Sequence, residues 1–270
     1  MTEHTDELEK RTKKIREQMG GKSRLEKMES EGKPNIRQHI DAILDEGTFQ
    51  EIGTFSRSLR EEDRETTPGD GKIGGEGEID GRPVAIAGDD ITVKRGSSSI
   101  VGSRKTSRLY ERALKMGFPY VYFGETGGGR IPDLIGAEGI SDAMPSPDIA
   151  RRRRLIPMAS VIVGQSFGGS SFHSAFSDFT VQVRGSVLAV TSPRVFEIAT
   201  GEIVSFEELG GVDVHAKTTG QIDLGADSYE DAYKAVKQWL SYLPSNAWTT
   251  APRGEPMTKS RWEPDHELTD

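Results

Sequence analysis

The chain contains no cysteine, which excludes disulfides, thiolate metal sites and a cysteine nucleophile together. It also lacks any run near the ~20 apolar residues that a helical membrane span requires. Its first twenty residues contain no apolar stretch of the kind an export signal carries. Those two absences lead to the expectation of a soluble, cytoplasmic protein with no membrane partner. Histidine is scarce: the five are His4, His39, His173, His215 and His266, none in an H-E-x-x-H or i, i+4 pair, so no metal site is expected. Basic residues number 35 against 43 acidic, and the net charge of -8 argues against nucleic acid, whose phosphates are held by a basic face. The run Arg151 to Arg154 is the local exception. Four consecutive residues point all round a helix, so the run reads as surface and interface charge rather than a polyanion site.

What is present points to one α/β domain with polar ends. Residues 1–33 are dense in charge, with Glu9 and Lys13 at i, i+4 spacing, and read as an exposed helix and a mobile segment, an arm over 1–34. The segment PNIRQHIDAILDEGTF (34–49) reads as an amphipathic helix: Ile36, Ile40, Ile43 and Leu44 share a face, Pro34 stands near its start and Gly47 stops it. Residues 50–93 turn to short strands, with Asp80 and Gly81 as a tight hairpin turn, and 60–72 read as a polar, mobile loop. Further helices are expected over about 103–116, 147–155 and 229–242, and strands at 119–123, 158–164, 179–183 and 187–191. The tail, 247–270, is expected to be extended or disordered.

Twice a strand runs into glycines, as YVYFGETGGGRIPD (120–133) and as GQSFGG (164–169), which places two bare loops at one edge of a sheet. Glycine exposes main-chain N–H groups and permits the positive φ angles that converge them, so an anion or a developing oxyanion is the expected visitor. A P-loop is excluded because no lysine follows the glycines, and the dinucleotide fingerprint lacks its preceding strand-helix-strand start. The second loop also satisfies G-x-S-x-G, which would make Ser166 an acyl nucleophile with His173 or His215 as base and Asp178 or Asp213 orienting it. His173, in a glycine-flanked loop, reads either as a histidine satisfied by backbone groups or as a proton-transfer residue.

Five segments in order resemble the N-terminal half of acyl-CoA carboxyltransferases of the propionyl-CoA carboxylase beta type. They are PGDGKIGGEGEIDGRPVAI (68–86), ALKMGFPYVYFGETGGGRIPD (113–133), SFGGSSFHSAFSDF (166–179), TGEIVSFEELGGVDVH (200–215) and SYLPSN (241–246). The resemblance implies a crotonase/ClpP-like superhelix of repeated β-β-α units over 35–246. Its Ser-Gly-Gly-Ala-Arg segment maps onto Thr126, Gly127, Gly128, Gly129 and Arg130, implying an oxyanion hole for a thioester carbonyl. Its Ala-Gly-Gly-Ala segment maps onto Phe167, Gly168, Gly169 and Ser170, implying the other wall of the acyl pocket. The Arg104–Lys105 pair stands where the family carries one; with Arg130 it reads as holding coenzyme A phosphates, or as helix-surface charge.

The sequence departs from the family at Gly129, at Pro132, Asp133 and Leu134, and at His173, all at the acyl end. The implied substrate is an acyl-CoA, with biotin carried on another subunit. The implied partners are a second carboxyltransferase-type subunit and a biotin carrier protein, in a trimer-based hetero-oligomer. The implied chemistry is stabilisation of a thioester enolate during carboxyl transfer. Two alternatives stand beside it. In a biotin-independent acyl-CoA decarboxylase or C–C lyase, His173 supplies the proton; in a thioester hydrolase, Ser166 is the nucleophile.

Overall fold

A computed structural model describes residues 3–143, 149 and 154–253. Most of the expected helix over 147–155 and most of the arginine run lie outside the described residues, as does the tail from 254. The chain opens with α1 (Glu3–Gln18) and α2 (Lys22–Ser30), followed by α3 (Ile36–Ile43). Strands β1 (Gln50–Glu51), β2 (Lys72–Ile79) and β3 (Arg82–Asp89) come next, then α4 (Ile100–Met116) and β4 (Tyr120–Thr126). Two short helices, α5 (Ile131–Leu134) and α6 (Ala137–Ala143), precede β5 (Met158–Phe167) and α7 (Gly169–Phe176). The rest comprises β6 (Phe179–Val183), β7 (Val187–Ala189), α8 (Pro193–Thr200), α9 (Phe206–Gly210), α10 (Val212–Val214), β8 (Leu224–Ala226) and α11 (Tyr229–Ser241).

The strands form one eight-stranded sheet in the order β1-β2-β3-β4-β5-β6-β8, with β7 paired to the far end of β5. β1, β2 and β3 are antiparallel; from β3 onward every pairing is parallel. The hairpin turn falls where expected: Asp80 and Gly81 have φ of 51° and 74°, the doubly left-handed geometry of the tightest antiparallel connection. The sequences β2-β3-α4 and β6-β7-α8 are β-β-α units. Parallel strands need crossovers that cover the sheet, so both faces are dry. One face carries α3 and α11 against Val121, Phe123, Val161 and Val163. The other carries α4, with Leu109, Tyr110 and Ala113 against Tyr120, Tyr122 and Met158.

The helix α3 follows its apolar spacing: Ile36, Ile40, Ile43 and Leu44 are all buried. Its start is set by Asn35 in a capping box with Gln38, and it ends at Ile43, ahead of Gly47. Helix α4 starts three residues earlier than the expected 103, because Ser99 caps it by accepting from the Gly102 N–H, and it ends on left-handed Gly117.

The polar stretch 60–72 departs from the loop reading. Two 3-10 turns, Glu61–Thr66 and Pro68–Gly71, fold it back, and Thr67 and Asp70 are fully buried. The reason is electrostatic. Asp70 faces a buried arginine from the first glycine loop, and its burial is tolerated because that partner, the Ser99 hydroxyl and the Gly102 N–H together satisfy the carboxylate.

Candidate functional site

The two glycine loops follow neighbouring parallel strands, β4 and β5, and so emerge at the same carboxyl edge of the sheet. They touch: a Cβ built on Gly168 would stand 3.7 Å from the Gly128 Cα. Gly128 has φ of 106° and Gly168 φ of 62°, so both positions require the conformational freedom of glycine. The N–H groups of the first loop are divided. Gly127 donates to the Arg95 carbonyl at 2.8 Å. Gly128 donates to Thr126 Oγ1 at 3.1 Å. Among the described residues Gly129 N–H has no acceptor, and Gly129 is exposed. Gly169 opens α7, so its N–H also lacks an intrahelical acceptor, at the positive end of the helix dipole. Ser98 lies between them: it pairs with Gly129 as an isolated parallel bridge, and its Oγ is 3.5 Å from a Cβ built on Gly169. Of the three glycines at 127–129, only Gly129 therefore offers an amide; Gly127 and Gly128 shape the turn.

Two buried ion pairs hold this edge. Arg130 Nη1 meets Asp70 Oδ1 at 2.6 Å, and Asp70 Oδ2 also accepts from the Gly102 N–H at 2.9 Å and from the Ser99 hydroxyl. Arg130 further reaches Ser97 through its side-chain oxygen and its carbonyl, both at 3.3 Å. Deeper in the fold, Lys72 pairs with Asp89, which also accepts from Tyr122 Oη and from the Glu125 N–H. Lys72 Nζ and Thr126 Oγ1 both donate to the Gly96 carbonyl, at 2.9 and 2.8 Å.

Of the cations named as phosphate ligands, Lys105 and Arg130 are turned inward and Arg104 is exposed. Lys105 is buried, donating to the carbonyls of Lys72 and Gly53 at 2.7 and 3.1 Å, and burial pushes its ammonium down to about 8. Arg104 is exposed, one residue and a third of a helical turn away, so the pair does not act as a unit. Arg130 is buried in its ion pair and braces the loop rather than reaching out to a ligand.

The triad around Ser166 is not assembled. Ser166 is fully buried and its hydroxyl donates to Ser170 Oγ at 2.7 Å. His215 is bound through Nε2 to the Leu188 carbonyl at 2.7 Å and through Nδ1 to Thr219. Asp213 is an exposed carboxylate paired with Arg184 and Lys217. Asp178 accepts the Met158 N–H at 3.0 Å, between β5 and β6.

His173 stands one turn into α7. Its Nδ1–H donates to the Gly169 carbonyl at 3.1 Å, and its ring stacks on Tyr122 with centroids 4.4 Å apart. Burial lowers its pKa, so the imidazole is neutral at pH 7 with its proton held by the carbonyl. That arrangement orients the first turn of α7.

One titratable group beside the loops escaped the sequence reading. Glu125, the last residue but one of β4, lines a cavity of about 490 Å³ with Lys33, Gln165 and Tyr229. Its side chain lies over Gly164, where a Cβ would come within 2.2 Å of Oε1. Burial, aided by the Asp89 carboxylate, pushes Glu125 up to about 7. The signal available was an acidic residue at the end of an apolar strand, two positions before the glycine run.

Because Glu125 binds its proton more tightly folded than unfolded, its contribution to stability is full below about pH 4.5 and is lost as pH rises through about 7. Glu125→Gln removes this dependence. Urea titrations from pH 4.5 to 8 are expected to show the variant gaining on the parent as pH rises, by about 1–3 kcal/mol at the upper end.

Comparison with known proteins gives this edge its context. Residues 27–269 match the carboxyl transferase domain family. The carboxyltransferase subunit of propionyl-CoA carboxylase from Haloferax mediterranei is 35% identical over 265 residues, which are 95% of this chain and 50% of that protein. The 12S subunit of methylmalonyl-CoA carboxyltransferase from Propionibacterium freudenreichii subsp. shermanii is 34% identical over 230 residues, 84% of this chain and 44% of that one. The transcarboxylase 12S hexamer crystallised with methylmalonyl-coenzyme A and methylmalonic acid superposes with a TM-score of 0.86 at 30% identity, covering 95% of this chain and 51% of that one. The chain thus spans about half the length of the curated relatives it matches. On sequence and on its crotonase-like α/β fold, it belongs to the carboxyl transferase domain family.

Proposed function

We propose that this chain supplies the acyl-CoA-binding half of a carboxyltransferase, completed by a second carboxyltransferase-type half on a separate subunit. The observation that carries the reading is the meeting of the two glycine loops, with the N–H groups of Gly129 and of Gly169 at the start of α7 both without acceptors among the described residues. When the α-carbon of a thioester loses a proton, or a carboxyl group departs as CO2, the electron pair left behind delocalises onto the thioester oxygen. N–H donors fixed beforehand stabilise that oxygen more than the neutral carbonyl, and one such donor contributes roughly 2.7–4 kcal/mol to the transition state. Gly129 and Gly169 are the donors in this reading; Gly127, Gly128, Gly168 and Ser170 set their positions. Carboxybiotin held on a carrier subunit would supply the carboxyl group and an acceptor for the α-proton, so this chain's own residues would have only to bind and polarise the thioester. A biotin-independent decarboxylase would need His173 as proton donor, and the hydrogen bond from its Nδ1 to Gly169 argues against that.

The need for a second half is supported by the surface. Helix α8 has no buried residue, and Val195 and Ile198 stand 51% and 77% exposed on it. Val190, Ile203 and Phe206, flanking α8 in sequence, are also exposed, and the Val190 carbonyl accepts from the Gly168 N–H at 3.1 Å, so Val190 adjoins the second loop. Single exposed apolar residues are ordinary; five between 190 and 206, beginning beside a binding loop, mark an interaction face in this reading.

Three measurements test the reading. In extracts where the chain is co-expressed with its second half and a biotin carrier, avidin is expected to stop carboxyl transfer to an acyl-CoA; turnover that persists would favour the lyase. Under the same conditions Gly128→Ala, where a Cβ meets no atom within 4 Å but φ is left-handed, is expected to lower kcat about 10²–10³-fold with the fold intact by circular dichroism. Ile198→Asp is expected to release the second half in gel filtration while the isolated chain still binds an acyl-CoA; an unchanged complex would remove α8 from the interface.

A further inference from the structure

We propose that Arg95 is a specificity-determining residue that selects acyl groups bearing a carboxylate, an inference that rests on reading the glycine loops as the thioester site. The backbone first draws notice. Lys94, Arg95 and Gly96 have φ of 47°, 60° and 62°, three successive left-handed residues of which only the last suits that conformation. Each of the other two costs on the order of 1–2 kcal/mol and persists only where its surroundings impose it. Here they do: Gly96 N–H donates to the Val93 carbonyl at 2.9 Å, the Arg95 carbonyl accepts from Gly127, and Lys94 Nζ is paired with Asp63 at 2.9 Å.

The strained turn delivers one side chain to the loops. The Arg95 Nε lies 3.1 Å from a Cβ built on Gly127, and Nη2 donates to Gln165 Oε1 at 3.0 Å. The guanidinium therefore spans from the first glycine loop to the strand that enters the second. It forms part of the wall of two cavities, one of about 430 Å³ shared with Gly127 and Gly129 and one of about 490 Å³ shared with Gln165 and Glu125. Every other cation bracing this edge has a carboxylate: Lys72 has Asp89, Lys94 has Asp63 and Arg130 has Asp70. Arg95, exposed, has among the described residues only the neutral Gln165 amide for its side-chain donors, and no ion pair. A guanidinium with free donors in a fixed fork matches a carboxylate in two parallel hydrogen bonds. Two anions of a bound acyl-CoA could meet it, the carboxylate on the acyl group or a phosphate of the carrier. Its seat against Gly127, within the thioester loops, favours the first.

The test is calorimetric titration of the full chain with propionyl-CoA and with methylmalonyl-CoA, for the parent, Arg95→Gly and Arg95→Lys. Glycine suits the left-handed backbone and retains the carbonyl that Gly127 uses, so Arg95→Gly is expected to unfold no earlier than the parent. It is expected to weaken methylmalonyl-CoA about 10- to 100-fold while propionyl-CoA is unchanged, with Arg95→Lys in between. Equal weakening of both esters would assign Arg95 to the carrier's phosphates, and unchanged binding of both would make it structural; either overturns the proposal. A parent chain that binds neither ester would remove the functional reading itself, and the proposal with it.

Discussion

The edge that carries the glycine loops depends on one buried ion pair, Arg130 with Asp70. Sixty residues apart in sequence, they meet where solvent cannot screen them, and a charge left alone in that place costs about 3–5 kcal/mol. Asp70 also accepts from Ser99 and Gly102 at the start of α4, so one carboxylate joins the lead-in to β2, the first turn of a core helix and the exit of the first glycine loop. The loop itself has little else to define it. Glycines lose more chain entropy on ordering than other residues, and a run of three holds its shape only when its ends are fixed. Arg130 fixes one end, and Thr126, bound to the Gly96 carbonyl, fixes the other.

From that constraint the chemistry follows by position. Parallel strands put successive loops on one edge; a left-handed Gly128 and a left-handed Gly168 let them approach; and the amides that remain without acceptors belong to Gly129 and to the start of α7. The proposed use of these amides as an oxyanion hole requires no side chain to ionise, consistent with a site whose nearby serines, Ser166 and Ser170, are bonded to each other and whose histidine has its pKa lowered by burial. The buried charged residues serve the scaffold. Lys72, Asp89 and Tyr122 lock β2, β3 and β4 together beneath the loops.

Much of this was legible in the sequence, where periodicity or turn chemistry is local. Helix α3, the Asp80–Gly81 turn, the apolar strands β4 and β5 and the two glycine loops follow from residues within a few positions of one another. The polar stretch 60–72 was not legible as ordered structure, because what orders it is a partner sixty positions away. Lys105 read as a phosphate ligand or as helix-surface charge, yet it lies in the 3–4 spacing of Gly102, Lys105, Thr106, Leu109 and Ala113, and that spacing was enough to place it inward. The division of labour among Gly127, Gly128 and Gly129 depends on acceptors at Arg95 and Thr126, which glycine spacing alone does not reveal.

The central claim is that the amides of Gly129 and Gly169, held by the Arg130–Asp70 pair, polarise a thioester carbonyl. Isotope-edited infrared spectroscopy of a ¹³C-labelled acyl-CoA bound to the chain reads this directly. The account predicts a carbonyl stretch shifted to lower frequency on binding, and a shift that collapses in Arg130→Lys while the ester remains bound. A carbonyl frequency in the complex equal to that of the free ester would contradict it.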